Sequence, residues 1–197
     1  MAAEYAIGEW DSLTELSPYG RKEAIRFAHE RERDKSATLG TAVHAAIDSW
    51  CKGEPCQPAK EVDPFMTSFT KFLMEKRPRF IASEVTVWSR KHNYAGTADA
   101  ICEIDNKMYL ADYKTGKNLH DEVGLQLSAL AFADFIITPE GKEIELPVID
   151  ALAAIHIRPR SWKFVPVQHA EQNFRAFLAC RQLHYWSTEI AGEVLAA

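Results

Sequence analysis

Between Ile81 and Lys114 the chain is written at a period of two, and that stretch constrains the fold more tightly than any other. Ile81 to Trp88 (IASEVTVW) is rich in strand-forming residues, Ser89 to Asn93 is a polar turn, and Tyr94 to Ile104 returns as a second strand. Asp105-Asn106-Lys107 marks a hairpin, and Met108 to Lys114 follows as the third strand. Side chains alternate across a strand, so Met108, Leu110, Asp112 and Lys114 share one face while Tyr109, Ala111 and Tyr113 share the other. Asp112 and Lys114 therefore point the same way.

A meander of this kind needs other layers to cover it, and the flanking sequence supplies helices. Pro18 to Asp34 is rich in helix formers, and Leu39, Val43, Ile47 and Trp50 recur as a helical stripe, with Ser36 or Thr38 as N-caps and Gly53 and Pro55 as the stop. Asp63 is placed to cap a helix that carries Phe65, Phe69, Phe72 and Leu73 on one face before Pro78. These phenylalanines, with Phe80, read as core and not as stacking platforms for bases. After Thr115-Gly116 a helix is expected from about His120 to Ile137, with Leu119, Val123, Leu127 and Leu130 as its stripe and Gln126 beside it. Short strands at Ile144–Leu146, Ile149–Ile157 and Trp162–Val167 and a last helix from about Ala170, burying Phe174, Phe177 and Leu178, complete the order. The fold class expected is mixed α/β, a central mixed sheet flanked by helices, in a single domain over 1–197 with no repeat or linker.

Composition narrows the function classes. At 47% hydrophobic residues the chain builds a core, and a net charge of −5 argues against a generally basic nucleic-acid coat while leaving room for a local basic groove. Basic residues gather at Arg21, Lys22 and Arg26, at Lys71, Lys76, Arg77 and Arg79, and at Arg158, Arg160 and Lys163; each group suits either a phosphate track or a solvated face. No apolar run is long enough for a membrane span, and the start, with Glu4 and Glu9, lacks the basic region of an export signal. Cys51, Cys56, Cys102 and Cys180 form no C-x-x-C pair, so reduced thiols in a cytoplasm are expected.

Several polar residues fall where a plain core pattern would not put them: His44 at the edge of an apolar helical stripe, Glu84 in the first strand, Asp99 in the second, Asp112 and Lys114 in the third. Adjacent strands can bring these groups together, and converging carboxylates with an imidazole call for a positive centre. Hard oxygen donors favour Mg²⁺ or Mn²⁺, with the imidazole tilting the choice to Mn²⁺. A lysine two residues along the same strand can then orient or deprotonate a water beside a phosphoryl group. Each feature has a plainer use. An Asp-x-Lys is common on exposed strands, a glutamine beside a stripe is often a boundary residue, and Glu84 is within reach of Arg90 or Lys91 across the turn.

Taken in order, Gly40-Thr41-Ala42-Val43-His44, Ser83-Glu84, Gly96-Thr97-Ala98-Asp99, Asp112-Tyr113-Lys114-Thr115-Gly116-Lys117 and Gln126-Leu127 resemble the PD-(D/E)XK nucleases. More narrowly they are similar to the RecB-like exonuclease branch, which includes the CRISPR-associated and mitochondrial genome maintenance exonucleases and phage relatives. The motifs lie within residues 40–127. The resemblance implies a restriction-endonuclease-like core. It makes His44, Asp99, Asp112 and the main-chain carbonyl of Tyr113 ligands of Mg²⁺ or Mn²⁺, and Lys114 the catalytic lysine. Glu84 and Gln126 would support the metal or the scissile phosphate. Three departures stand out. Ala98 precedes the first acid where Pro is usual, Leu130 stands where the glutamine motif has Tyr, and the cysteines do not follow the spacing of iron–sulfur members, so no cluster is expected.

The activity implied is a metal-dependent deoxyribonuclease, an exonuclease on single-stranded DNA ends that leaves 5′-phosphate products, in recombination, replication or repair within a bacterial or phage-infected cytoplasm. A recombination or replication protein is an expected partner. Competing readings are a structure-specific endonuclease and a DNA-end binding module that acts inside a larger complex.

Overall fold

In the computed structural model, which describes residues 10–195, the period-two segments are strands of a seven-stranded sheet ordered β5-β4-β1-β2-β3-β6-β7. Its strands are β1 (Arg79–Ser89), β2 (Tyr94–Ile104), β3 (Lys107–Lys114), β4 (Phe135–Ile137), β5 (Glu143–Glu145), β6 (Ala151–Arg158) and β7 (Ser161–Val167). The helices are α1 (Trp10–Thr14), α2 (Pro18–Arg26), α3 (Ala28–Lys52), α4 (Asp63–Lys76), α5 (Glu122–Ala131) and α6 (Ala170–Tyr185), the last followed by a π turn at Trp186–Ile190 and a 3₁₀ turn at Ala191–Glu193. Only β3 and β6 pair in parallel; every other neighbouring pair is antiparallel. The fold is thus the mixed α/β sheet flanked by helices that the sequence pattern predicts. The acidic start with Glu4 and Glu9 lies outside the described residues.

The chain divides into two compact units between Ala42 and Val43. In the first, Ser17 accepts the Gly20 N–H at 3.1 Å and so caps α2, and Arg21 reaches back to the carbonyls of Leu16 and Thr14. The second unit carries the sheet. On one face Val123, Leu127 and Leu130 of α5 pack with Val87, Ala98, Ile101, Leu110, Leu152 and Ala154. On the other, Phe69 of α4 sits edge-on to Trp50 and Tyr113, and Phe72 edge-on to Trp162. No described helix is long and apolar enough to cross a membrane.

Several local expectations are corrected. The helix expected over His120–Ile137 ends at Ala131, and Phe135–Ile137 is a strand, entered where the Asp134 N–H donates to the Trp88 carbonyl at 2.9 Å. No Gly or Pro stands between Ala131 and Phe135 to mark the break, so only the open edge of β1 tells the aromatic and β-branched residues that follow to pair. Ser36 and Thr38 are not caps, because α3 already begins at Ala28; the Thr38 hydroxyl donates to the Asp34 carbonyl within the helix. Asp63 is the first residue of α4 and not its cap, which is Val62. Gly53 does end α3, at φ 68°, with the 6→1 and 5→2 bonds from Glu54 to Ser49 and from Gly53 to Trp50. In α6, Phe174, Phe177 and Leu178 are half-buried, and Trp50 is half-exposed.

Candidate active site

The site forms where the regular ladder between β2 and β3 stops. From Ile104↔Lys107 to Ala100↔Ala111 the two strands pair residue by residue; beyond Ala111 the strand β3 continues through Asp112, Tyr113 and Lys114, paired with β6 alone. That leaves the Tyr113 N–H without a ladder partner, and the carboxylate of Asp99 takes it, accepting at 2.7 Å on Oδ2. The aspartate thus replaces a backbone acceptor at the split, which explains why a charged residue tolerates burial there.

β1 is distorted at the same level. Ser83 pairs with Ala100 and Val85 with Ala98, so Glu84 stands opposite Asp99 in the register, and Glu84 has a φ of 50°. That left-handed conformation costs a non-glycine residue about 1–2 kcal/mol. Alternation breaks with it. Ala82 and Val85, three apart, pack on one core, as do Ala98 and Ile101 across from them, where strict alternation would send each pair to opposite faces. The paired kink brings the ligand atoms of Glu84 and Asp99 together with those of His44 from α3, all within 4.8 Å of one another. His44 Nδ1 lies 3.4 Å from Asp99 Oδ2, and its ring sits edge-on to Tyr113.

Asp112 and Lys114 occupy the same strand face, as period two requires. Asp112 is 2% exposed; the Lys114 ammonium is 2.7 Å from its Oδ2, a close charge contact that leaves that oxygen without a well-directed donor. Gln126 of α5 accepts a hydrogen bond from Lys114 at 3.0 Å, so the ammonium is held from two elements. No family model matches the sequence, and no curated protein matches it.

The electrostatics of the site are uniform in direction. Burial pushes the Asp112 carboxyl up to about 6, the charge of Asp99 adds to it, and Lys114 pulls the other way. Glu84 is raised by partial desolvation and then by Asp99 and Asp48. At His44 burial opposes the charged form, but the contact with Asp99 and the fields of Asp112 and Glu84 outweigh it and hold the imidazole above its ordinary value. His44, Glu84 and Asp112 thus all hold protons more readily than usual, through burial first at Glu84 and Asp112 and through neighbouring carboxylates at all three. Together with the undirected oxygen of Asp112, the donor set of imidazole and carboxylates fits Mg²⁺ or Mn²⁺.

The structure brings His44, Glu84 and Asp99 into one group and sets the Asp112–Lys114–Gln126 chain beside it. Glu84, read as a supporting residue, stands among the ligand atoms, whereas Asp112 faces Lys114. Arg90 pairs with Glu143, not with Glu84. Asp48 and His156 had no sequence signal, and Arg158, read as part of a phosphate track or a solvated face, takes a local role instead. Asp48, one turn after His44, accepts from the Ser83 hydroxyl at 2.8 Å; the His156 ring bonds the Gly116 carbonyl at 2.8 Å; and Arg158 donates to the Thr115 carbonyl. His156 and Arg158 pin the loop that leaves Lys114. Of the other basic residues, Arg79 pairs with Glu103 and Lys76 lies over the Phe164 ring.

Proposed function

We propose that the protein is a metal-dependent deoxyribonuclease with a restriction-endonuclease-like core, acting as an exonuclease on single-stranded DNA ends. The observation that carries the reading is the meeting of His44, Glu84 and Asp99 within 4.8 Å beside the buried Asp112 and its partner Lys114. His44, Glu84 and Asp99 hold Mg²⁺ or Mn²⁺, with Asp112 and the Tyr113 carbonyl as further ligands by resemblance. The cation, when bound, lowers the proton affinity of water and offsets charge on the phosphodiester.

The rest falls to the chain. Lys114, fixed by Asp112 and Gln126, presents an ammonium that orients the attacking water and neutralises a phosphoryl oxygen. Attack at phosphorus with departure of the 3′ oxygen leaves 5′-phosphate products. The resemblance to RecB-like exonucleases supports end-directed cutting of single strands and a setting in recombination, replication or repair inside a cell.

The test is digestion of 5′-labelled and 3′-labelled single-stranded DNA beside a closed circle, in Mn²⁺, Mg²⁺ or EDTA, for wild type and Lys114→Ala. Cutting of the linear strands in metal alone, reduced about 10²–10⁴-fold in the variant, is expected. A cut circle shows an endonuclease instead. Survival of every substrate sinks the enzyme reading, and retained binding to DNA ends would then favour an end-binding module.

A further inference from the structure

Glu84 is held in a conformation that its residue type and its place in a strand both disfavour, so something outside it must hold it there. The β1–β2 pairing runs on either side of the kink, at Ser83↔Ala100 and Val85↔Ala98. The contact next to the kink is the Ser83 hydroxyl, which donates to Asp48 Oδ1 at 2.8 Å. In a regular strand Ser83 would share a face with Val85, whose side chain packs on the α5 core; in this structure it reaches α3 instead. Asp48 sits one helical turn beyond His44, on the same side of α3. Its second oxygen is engaged by Lys52 at 2.6 Å, which fixes the carboxylate from behind.

We propose that Asp48 and Ser83 are positioning residues, a latch between α3 and β1 that keeps Glu84 left-handed and so sets its carboxylate against His44 and Asp99. The inference rests on the cation reading of the site. It assigns Asp48 a role through its hydrogen bond and not through its charge: the same helix that carries His44 also grips the residue before Glu84, so the two ligands come to register as one unit. Lys52 offsets part of the charge of Asp48, whose field still raises Glu84, so Asp48→Asn separates the hydrogen bond from the charge.

Mn²⁺ binding without DNA, read by electron paramagnetic resonance, tests the latch on intact protein. Ser83→Ala and Asp48→Ala are each expected to weaken binding by about 10-fold or more, the range for residues that orient metal ligands. Asp48→Asn, whose carboxamide oxygen can still accept from Ser83, should stay within about 3-fold of wild type in the absence of a direct ligand role. Unchanged affinity in Ser83→Ala, or a loss in Asp48→Asn equal to that in Asp48→Ala, overturns the proposal. The backbone coupling constant of Glu84, measured by nuclear magnetic resonance on the metal-free protein, separates the two ideas. If φ leaves the left-handed region in Ser83→Ala and stays in Asp48→Asn, the latch holds, even if wild type binds no Mn²⁺ and the cation reading falls. If φ stays left-handed in Ser83→Ala, the latch is wrong whatever the metal does.

Discussion

At the hairpin end of β2 and β3 each residue does what its type prefers. Asp105 and Asn106 take φ of 51° and 61° in a two-residue turn that tolerates them, and Ile101 and Leu110 face each other across the ladder with almost no exposure. About 20 Å from the turn, at about 3.3 Å per residue to Asp99 and Asp112, the preferences are reversed. Glu84 takes nearly the same φ inside a strand, Asp99 fills a place meant for a carbonyl, and a carboxylate is buried at Asp112. One end is built for stability. The other carries strain and repulsion that a bound cation would relieve, and such local conflict in an otherwise consistent chain is expected at a functional site.

The contrast can be broken by exchanging what each end depends on. Leu110→Ala, in the regular half, should cost about 2–5 kcal/mol in chemical unfolding. Mn²⁺ affinity of the folded fraction should be unchanged; an equal loss at both would deny that the halves are separable. Asp112→Asn should act in the opposite sense. Its folded value of about 6 lies above the ordinary 3.8, so the folded state binds the proton more tightly, and ionisation costs stability as pH rises through that window. Below about pH 4 the substitution should change nothing. Above about pH 6 it should stabilise the metal-free protein by about 3 kcal/mol, the size of the shift, in which the opposing pull of Lys114 is already contained, while activity is abolished. Thermal unfolding in EDTA at pH 4 and pH 8 checks it, and a destabilised variant at pH 8 would show that the Lys114 pair dominates. The smallest effect belongs to the turn. Asn106→Ala should lose about 1 kcal/mol to the left-handed conformation, with Mn²⁺ affinity unaltered.

Much of this arrangement was legible in the residues. The three strands from Arg79 to Lys114, the Asp105-Asn106 turn and the shared face of Asp112 and Lys114 follow from period two and turn chemistry, which act between near neighbours. The end of α5 and the strand Phe135–Ile137 did not, because the choice between helix and strand there depends on an open sheet edge formed by residues far away. Nor did the roles of Asp48, His156 and Arg158. An aspartate on a helix and two polar residues at the end of a strand look like surface until a hydroxyl and two carbonyls from other segments are set beside them.

By itself, then, the sequence determined which residue types could do chemistry and which of them share a strand or a helix face, since alternation and helical spacing are local properties of the backbone. Only the tertiary structure decided that Glu84 joins His44 and Asp99, that Asp112 faces Lys114, and that Asp99 replaces a ladder acceptor. Those outcomes depend on where β2 parts from β3 and where β1 kinks, and no nearest-neighbour rule contains either. They are set by the demand that every buried polar group find a partner once the sheet and helices have closed around it.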